Sequence, residues 1–567
     1  MSELSLRIAN CSGFYGDRLS AAKEMVEGGP IDVLTGDWLA ELTMLILAGN
    51  RLKGRPGYAP TFLRQLEDVL GPCLDRGIKI VSNAGGLDPA GCAEAVHDLA
   101  ARLGLSPAVA HVTGDDLTGT PLDLTNADTG EPLTATPLTA NAYLGARPIA
   151  AALSAGADVV VTGRVTDSAL VTGPGIWRYG WGPEDLDPLA GSVVAGHIIE
   201  CGCQATGGNY AFFQDVPDLA HCGFPIAELH ADGSSVITKH PGTGGLVSTG
   251  TVTAQLVYEL TTPRYLGPDV VARFDTITLT DEGPDRVRVS GVRGEPPPDT
   301  LKVSVTYLAG YRNTMTLVLT GLDVAAKARV AEEAIWARIP RESFEHVDVT
   351  LTDSGLLRIT VMDADAQRAG RAFSAAVVET GLASYPGFYA LTPPGNASPY
   401  GVHWPVLVPA ARVRPRVFLN GTELPQAPPA PPRALAGTRP AGPVDDRRAT
   451  PSAPGGPAVC LPLGRIAGAR SGDKGGDANL GVWTDTRERY DWLAGHLTAD
   501  RLKELLPALA GYRVDRYELP NIKALNFVVH GLLGRGVAAS PRMDPQAKAL
   551  GEELREQLLN VPASLAG

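Results

Sequence analysis

Three runs of aliphatic residues in this chain end in a Thr-Gly pair that is followed at once by charge. IDVLTGDW leads to Asp37, AVAHVTGDD leads to Asp116, and DVVVTGRVTD leads to Arg164 and Asp167. Carboxyl groups held near a cation suit general acid–base chemistry, because one group takes a proton while the developing charge is stabilised. The three aspartates are therefore acid–base candidates and Arg164 is a substrate-binding candidate. For each aspartate alone, the alternative is a helix N-cap just after a strand.

The stretch AGHIIECGCQATGGNYAFF (195–213) places His197, Glu200, Cys201 and Cys203 within seven residues. A carboxylate embedded in apolar sequence is costly to bury unpaired, so burial would raise the pKa of Glu200 and suit it to proton transfer. Cys201 is a candidate nucleophile, although free thiols often simply pack against neighbours. A structural metal site would need a second Cys or His pair, which the chain lacks, so we predict no metal.

Charged and glycine-rich turns supply further candidates. CSGFYGDR carries Asp17 as another acid–base candidate, with a helix N-cap as the alternative because helical sequence follows it, and Arg18 as a binding residue. The turn PGTGG follows Lys239 and could hold an anion, or could reflect turn geometry only. Backbone amides of other glycine turns are candidate donors to an enolate oxygen. The remaining binding candidates are Asn83, Gly85, Gly86, Gln204, Gly207, Gly208, Gly242, Gly244 and Gly245.

The segment ARSGDKGGDANLG (469–481) reads as a long charged loop between two strands. It is either a solvated turn with internal ion pairs or a loop that projects into the main crevice or a subunit interface. In the second case Lys474 would meet a carboxylate or a phosphate. The turn PGTGG is not a Walker loop, and the turn GFYGDR does not match the dinucleotide-binding fingerprint. The sequence therefore gives little support for nucleotide cofactors.

The elements that would position these residues alternate between strand and helix over the first 170 residues. Apolar runs of about five residues, bounded by Gly, Asn and Asp, are typical of strands buried on both faces of a parallel sheet, and five such runs occur in LRIANCSG, IDVLTGDW, IKIVSNAGG, AVAHVTGDD and DVVVTGRVTD. Helical patterns lie between them at 19–29, 61–77 and 91–105. We therefore predict an α/β domain with a mainly parallel sheet, whose ligands bind at the carboxyl ends of the strands.

Later segments predict further domains. The pattern changes near residue 265 to that of an α+β lobe, and Pro- and Ala-rich sequence from about residue 421 predicts an extended linker. The order ββαββα after the linker predicts a small α+β domain with helices on one face of an antiparallel sheet. The predicted division is 1–264, 265–420, 421–457 and 458–567.

Length, charge and cysteine content limit the classes of protein to which the chain can belong. A chain of 567 residues needs more than one core. A net charge of −13 disfavours nucleic-acid and anionic-membrane partners. No leader-like segment and no apolar run of about 18 residues is found, so we expect a cytoplasmic protein. Seven scattered cysteines are too few and uneven for a disulfide framework, so we expect reduced thiols.

An ordered set of motifs, CSGFYGDR, TGDWLAE, SNAGG, ANAYLGA, GADVVVTGRVTD, GHIIECG, GFPIAEL and ARSGDKG, resembles the acyclic terpene utilisation (AtuA) family over nearly the whole chain. The resemblance implies a large N-terminal domain and a ferredoxin-like C-terminal domain. It also implies a role in the catabolism of citronellol- and geraniol-type compounds, whose intermediates are branched acyl-CoA thioesters. Cys203 stands where the family leads us to expect Ala or Gly, which weakens any scheme that needs both thiols.

Residues and resemblance together give three functional hypotheses. The first is a hydratase, dehydratase or lyase that acts on a branched acyl-CoA and needs no cofactor beyond the CoA of its substrate. The second is a non-catalytic acyl-CoA-binding or scaffold protein of a catabolic complex. The third is a Cys201-dependent thioester hydrolase, which is disfavoured because no His–acid pair is visible in the sequence. We expect a homo-oligomer in each case.

Overall fold

The computed structural model describes residues 5–425 and 457–566, so most of the expected Pro/Ala-rich linker lies outside the described residues. The first strands are β1 (Leu6–Asn10), β2 (Val33–Gly36), β3 (Lys79–Ser82), β4 (Val109–Thr113), β5 (Thr139–Ala142), β6 (Val159–Thr162), β7 (Pro225–Leu229) and β8 (Ser235–Lys239). The first helices are α1 (Ala21–Glu27), α2 (Glu41–Leu52), α3 (Pro60–Arg76), α4 (Pro89–Leu103), α5 (Arg147–Ser154), α6 (Ala169–Tyr179), α7 (Leu186–Ile199) and α8 (Thr249–Leu256).

The central sheet has a parallel core in the order β1-β2-β3-β6-β4. Its strands are the short apolar runs that the sequence singled out, and the four residues of β6 are all buried. Successive side chains of a strand point to opposite faces, so Ile8 packs into one core with α5, α6 and α7, while Ala9 packs into another with α1, α3 and α4. The prediction of a mainly parallel α/β domain covered on both faces is confirmed.

The middle of the chain adds further strands and two helices. These are β9 (Arg264–Leu266), β10 (Val271–Arg273), β11 (Thr278–Asp281), β12 (Val287–Ser290), β13 (Arg293–Glu295), β14 (Thr300–Val318), α9 (Val324–Trp336), β15 (His346–Leu351), β16 (Leu356–Asp363), α10 (Phe373–Val378), β17 (Ser398–Pro409), β18 (Arg416–Leu419) and β19 (Thr422–Glu423). The long strand β14 pairs with β16, β17 and also β5, which belongs to the first part of the sequence.

The two predicted lobes on either side of residue 265 share sheets. Strand β12 continues the central sheet by pairing with β8, and β18 pairs with β4 at the opposite edge. Both additions are antiparallel. Because strands cross between the lobes in both directions, the two lobes are interlocked.

The C-terminal domain contains β20 (Ala458–Pro462), β21 (Gly468–Lys474), β22 (Asp477–Trp483), α11 (Arg487–His496), α12 (Ala499–Leu505), β23 (Val514–Leu519), β24 (Ala524–Val529), α13 (Leu550–Arg555) and β25 (Leu558–Pro562). Four strands form an antiparallel sheet in the order β21-β22-β24-β23. One face of this sheet carries Leu480, Val482 and Phe527 into a core with the helices of the domain, as the sequence predicted.

The expectation of a long charged loop at 469–481 was wrong. Strands β21 and β22 pair continuously as far as Lys474 and Asp477, which leaves only Gly475 and Gly476 in the turn. A two-residue hairpin turn requires positive φ, which Gly475 supplies at +63°. The charged residues of the motif therefore stand on the paired strands of a hairpin.

The other face of the C-terminal sheet packs directly on the residues that follow α8. The side-chain amides of Asn479 and Asn526 both donate to the carbonyl of Leu260. A Cβ at Gly472 would overlap the Tyr258 ring, and one at Gly481 would overlap Val257, so the two chain segments are in close contact. The C-terminal sheet is thus held against the large domain by the hydrogen bonds of the two asparagines and by close packing of the backbone at the two glycines.

Within the two described ranges, every helix is too short or too polar to cross a lipid bilayer.

Replacing Ile8 by Ala should lower the free energy of unfolding by about 2–5 kcal/mol, because a fully buried side chain in the parallel core leaves a cavity. The measurement is chemical denaturation followed by circular dichroism. Leu52→Ala is the matched control, since that leucine keeps 75 % of its surface exposed at the end of α2. Equal midpoints for the two variants would contradict the placement of Ile8 in the core.

Candidate functional site

The carboxyl ends of β2, β3 and β6 bring their polar residues into direct contact. Asp37 Oδ1 accepts a hydrogen bond from Asn83 Nδ2 at 2.6 Å and another from the backbone N–H of Leu39 at 3.0 Å. Arg164 Nη1 donates to the carbonyl oxygen of Leu39 at 2.6 Å. Parallel strands end at one edge, so residues far apart in the sequence share a few ångströms of space.

Arg164 is the centre of this group. Its side chain is 3 % exposed, its guanidinium lies 4.3 Å from the centre of the Tyr143 ring, and its Nη1 lies 3.1 Å from Asp167 Oδ1. Its Nε is buried without a hydrogen-bond partner. The guanidinium stays charged at any ordinary pH, so it presents a fixed positive charge at the base of the site.

The pKa values of Asp37 and Asp167 both rise above the ordinary range for an aspartate. For Asp37 the causes are burial and the negative charge of Asp167, which outweigh Arg164. For Asp167, burial raises the pKa against the attraction of Arg164, and the charges of Glu41 and Glu259 add to the increase. Two carboxyl groups that hold protons more tightly than usual are suited to proton transfer near neutral pH.

Glu200 follows the last residue of α7 and is 9 % exposed. Its Oε1 lies 3.1 Å from His197 Nδ1, while its Oε2 has no hydrogen-bond partner. Burial raises the pKa of Glu200 well above its usual value, and Asp167 and Glu259 raise it further. Burial lowers the pKa of His197 to about 4, so this imidazole is neutral and gives Glu200 no positive charge.

A second wall of the site comes from residues that the sequence analysis did not select. The Tyr143 hydroxyl donates to Glu41 Oε1 at 2.7 Å, and Lys302 Nζ, on β14, lies 3.7 Å from the same oxygen. His403, on β17, is 8 % exposed, and neither ring nitrogen has a hydrogen-bond partner. Burial lowers the pKa of His403 to about 4. The available signal was a lysine and a histidine that each stand between two apolar residues, in LKV and in VHW.

The C-terminal hairpin supplies the third wall. Lys474 Nζ lies 3.8 Å from Glu259 Oε2, and the charges of Glu259, Glu41 and Asp167 keep the pKa of Lys474 above its usual value although burial opposes them. The hairpin also brings Asp473, whose pKa is raised to about 6, mainly by burial and then by Glu259.

Three hydrogen bonds hold this wall in place. The N–H of Glu259, a residue with a φ of +55°, donates to Asn479 Oδ1 at 2.8 Å. A positive φ is unfavourable for glutamate, so this hydrogen bond helps to maintain the conformation. On the other side, Arg470 donates to Gln204 Oε1 and to the carbonyl of Asn209.

The three walls enclose a space that remains open to water, which we call the interdomain cleft. Five of its charged side chains keep between a quarter and about a third of their surface accessible, namely Glu41 27 %, Asp167 27 %, Glu259 31 %, Lys474 34 % and Lys302 35 %, whereas Arg164 and Glu200 are buried. Deep burial with residual access is the combination found at sites for small ligands. The cleft therefore offers both a reduced dielectric constant and a route of entry.

Two of the charged residues that follow Thr-Gly endings lie outside the cleft. Asp115 is buried beneath it, where Oδ2 accepts hydrogen bonds from the Arg164 N–H and from Asn141 Nδ2, each at 2.9 Å. Asp116 is exposed, and its Oδ1 accepts from the N–H of Thr118 at 2.9 Å. Their observed contacts are those of residues that support local backbone structure.

Asp17, Arg18 and Lys239 form a neighbouring group on the other side of the Cys201–Cys203 segment. Asp17 Oδ2 accepts from the N–H of Gly13 at 2.9 Å, and Arg18 pairs with Glu24. Lys239 Nζ donates to the Thr243 carbonyl at 2.8 Å and lies 3.0 Å from an Asp285 carboxylate oxygen. The ammonium group of Lys239 is therefore already occupied by partners within the protein.

The glycine turns use their amides locally. The N–H groups of Gly86, Gly207 and Gly208 donate to the carbonyls of Asn83, Gln204 and Cys203. Those of Gly244 and Gly245 donate to His221 and Pro217. Gly242 has a φ of +78°, which the turn requires, and Gly85 packs closely on the Thr162 carbonyl. The glycines allow the backbone to adopt the conformation of these turns. The five amides named already donate within the protein and are not free to hold an anion.

No three His, Cys, Asp or Glu side chains of residues 5–425 and 457–566 are arranged so as to hold a metal ion. A small cavity of about 10 Å³ lies beneath β2 and β3, among Cys11, Phe62 and Gln65. Its lining is almost entirely apolar and carries no charged side chain, so it is a packing void with room for about one water molecule.

Cys201 should react slowly with iodoacetamide at neutral pH, because burial and the charge of Glu200 raise the pKa of its thiol well above the usual value. The thiolate fraction, and with it the labelling rate, should rise about tenfold per pH unit on the alkaline side. Peptide mapping by mass spectrometry measures the rates at Cys201 and at the exposed Cys460, and Cys460→Ser identifies the fast label. Equal rates at pH 7 would contradict the protonated state of Cys201.

Comparison with known families agrees with this arrangement of domains. Residues 6–419 match the model of the acyclic terpene utilisation family protein AtuA, and residues 461–560 match the AtuA ferredoxin-like domain. No curated protein and no solved structure gives a significant match. The first match covers well over half of the chain and includes the strand ends that carry Asp37, Arg164 and Asp167. The chain belongs to the AtuA family of acyclic terpene utilisation proteins, with the family's ferredoxin-like domain at its C-terminal end.

Proposed function

We propose that the chain is an enzyme that transfers protons at the carbons next to the carbonyl of a branched acyl-CoA thioester. The reaction is a hydration, a dehydration or a carbon–carbon cleavage. The observation that carries the proposal is the group of carboxyl side chains with raised pKa values, Asp37, Asp167 and Glu200, which interact electrostatically with one another through Asp167 and lie near Arg164 and Lys474. Such a group suits acid–base catalysis on a carbonyl compound.

The roles follow from charge and position. Glu200 has one carboxyl oxygen without a partner and holds its proton to higher pH than an ordinary glutamate, so it is the proposed proton donor. Asp167 is paired with Arg164 and partly exposed to the cleft, so it is the proposed base. An enolate oxygen that develops between them would be stabilised by Arg164 and Lys474, which place positive charge on two sides of the cleft.

The family supports the choice of substrate class. The family's role in acyclic terpene utilisation implies branched acyl-CoA intermediates, and the thioester makes the α-carbon of such an acyl group more acidic. The CoA group would also bring phosphates, for which Lys474 and Lys548 at the edge of the cleft are the proposed contacts, because their side chains are 34 % and 40 % exposed whereas that of Lys239 is 5 % exposed. Location in the cytoplasm and assembly into a homo-oligomer remain predictions from the sequence.

Hydrolysis through Cys201 is less well supported. A nucleophilic cysteine needs a thiolate, and the environment of Cys201 raises the pKa of its thiol. Burial is the main cause, and the negative charges of Glu200, Glu259 and Asp37 act in the same direction. The neighbouring imidazole of His197 is directed at Glu200 and is neutral.

The first test is incubation of the purified protein with saturated, α,β-unsaturated and 3-hydroxy branched acyl-CoAs, with products followed by mass spectrometry. Gain or loss of one water, or cleavage into two fragments that include a shorter acyl-CoA, is expected for at least one compound. Glu200→Gln and Asp167→Asn should each lower kcat by about 10²–10⁴-fold, because each removes one proton-transfer group. Asp116→Asn is the matched control and should keep full activity, since Asp116 is exposed outside the cleft.

Calorimetric binding of the same compounds separates the alternatives. Binding without turnover by the wild type, unchanged in both cleft variants, would support the scaffold hypothesis and contradict the enzyme. Release of free CoA that depends on Cys201 would support the hydrolase.

Lys474→Gln should raise KM for an acyl-CoA by about tenfold, because one charge-assisted contact from the C-terminal domain is lost. Lys474→Arg should restore part of the affinity. The control is Arg501→Gln in the same domain, whose side chain is exposed and pairs only with Glu504 among the contacts described. Steady-state kinetics provide the measurement, and unchanged KM and kcat in Lys474→Gln would show that the hairpin takes no part in substrate binding.

A further inference from the structure

Cys203 and Cys222 lie against each other although 18 residues separate them in the sequence. Cys203 Sγ is 3.3 Å from the carbonyl oxygen of Cys222, and Cys222 Sγ is 3.8 Å from the carbonyl oxygen of Cys203. Each sulfur thus reaches the backbone of the other residue. The reciprocal contacts place the two thiols side by side, on the 3₁₀ turn Gly202–Thr206 and on the chain just before β7.

The surroundings of the pair favour a thiolate at Cys222, whereas the hydrogen bond with Cys222 and burial raise the pKa of Cys203 above its usual value. The Thr206 hydroxyl lies 3.2 Å from Cys222 Sγ, and Arg18 Nη1 lies 3.5 Å from Cys203 Sγ. The neighbouring Cys203 thiol, the Thr206 hydroxyl and the positive charges of Arg18 and Lys239 together lower the pKa of Cys222 to about 6 although burial opposes them. Cys201, two residues from Cys203, has its pKa raised instead.

We propose that Cys203 and Cys222 form a reversible intramolecular disulfide when the protein meets a peroxide. Positive charge beside an unusually acidic thiol, together with a second thiol in reach, is the arrangement of cysteines that respond to oxidants. Cys203 is partly exposed and Cys222 is buried, so a small oxidant reaches the pair from the side of Cys203.

The chemistry balances with hydrogen peroxide as the oxidant. The Cys222 thiolate attacks one peroxide oxygen, the O–O bond breaks, and the leaving hydroxide takes up a proton to give water and a sulfenic acid. The Cys203 sulfur then attacks the sulfenic sulfur and forms the S–S bond. The second hydroxide leaves as water with the proton that Cys203 gives up. The protein loses two hydrogen atoms, and the peroxide is reduced to two waters.

The position of the pair connects this reaction with the cleft. Cys203 lies between Glu200 and Gln204, and Gln204 accepts a hydrogen bond from Arg470 of the C-terminal hairpin. The Thr206 hydroxyl, which donates to Gly223 O at 2.6 Å, already ties the same turn to the chain beside Cys222. A disulfide would add a covalent restraint to the turn that follows Glu200. The inference concerns thiol chemistry only and does not depend on the proposed acyl-CoA reaction.

The test uses the full-length protein, treated with hydrogen peroxide and analysed by intact mass and by peptide mapping without reduction. The expected product is lighter by two hydrogen atoms, contains a Cys203–Cys222 cross-linked peptide, and returns to the starting mass with dithiothreitol. Hydrogen exchange of residues 200–209 should slow in the oxidised form.

Variants make the result specific. Cys460→Ser keeps the pair and should behave as the wild type. Cys203→Ser removes the resolving thiol, so dimedone should trap sulfenic acid at Cys222 several-fold more than in the wild type. A thermal melt identifies any variant that has not folded, in which case Cys203→Ala replaces it. Retention of both free thiols at peroxide levels that fully oxidise Cys460, or a cross-link to Cys201 instead, would overturn the proposal.

Discussion

The buried guanidinium of Arg164 is the interaction on which the rest of the site depends. A charge in this position is costly to remove from water and is tolerated only where nearby groups compensate for it. The Leu39 carbonyl, the Asp167 carboxylate and the face of the Tyr143 ring do so, and they come from three different parts of the chain. Arg164 thereby fixes the ends of β2 and β6 and the residue after β5 in one geometry. It also sets the positive potential in which the surrounding carboxyl groups titrate.

Charged groups from all parts of the molecule contribute to the electrostatic potential in the cleft. The parallel sheet contributes the base of the cleft, β14 and β17 contribute Lys302 and His403, and the C-terminal hairpin contributes Lys474. Carboxyl groups are slightly in excess and partly desolvated, so several of them hold protons that isolated aspartates and glutamates would lose. Charged residues of the two regions that match the family models therefore influence each other's pKa values, as Lys474 does those of Asp167 and Glu200.

Much of the fold could be predicted from the sequence, because buried parallel strands and amphipathic helices leave strong local patterns. The five strands of the parallel core and helices α1, α3 and α4 were identified in this way. The ends of these strands also pointed to Asp37, Arg164 and Asp167, since the topology of parallel sheets collects strand ends. The hairpin at Lys474 was mistaken for a loop because its charge and glycine content obscured an alternation that only pairing with β24 makes clear.

The parts of the site that could not be predicted depend on long-range pairing. Lys302 and His403 lie in strands whose local sequence says nothing about which strand they will join. The occupied amides of the glycine turns and the ion pair of Lys239 with Asp285 likewise depend on partners distant in sequence. Composition identifies polar groups, but only tertiary contacts determine which of them remain available to a ligand.

Gly472 and Gly481 give the molecule one further property. At these two points the backbone of the C-terminal sheet rests on Tyr258 and Val257 with no side chain between. The hairpin that carries Lys474 can therefore approach the segment 257–259 closely only because these two positions lack a side chain. A methyl group at either glycine would act as a spacer and widen the cleft without altering a single charge. Such a change would adjust the size of molecule admitted separately from the chemistry performed on it.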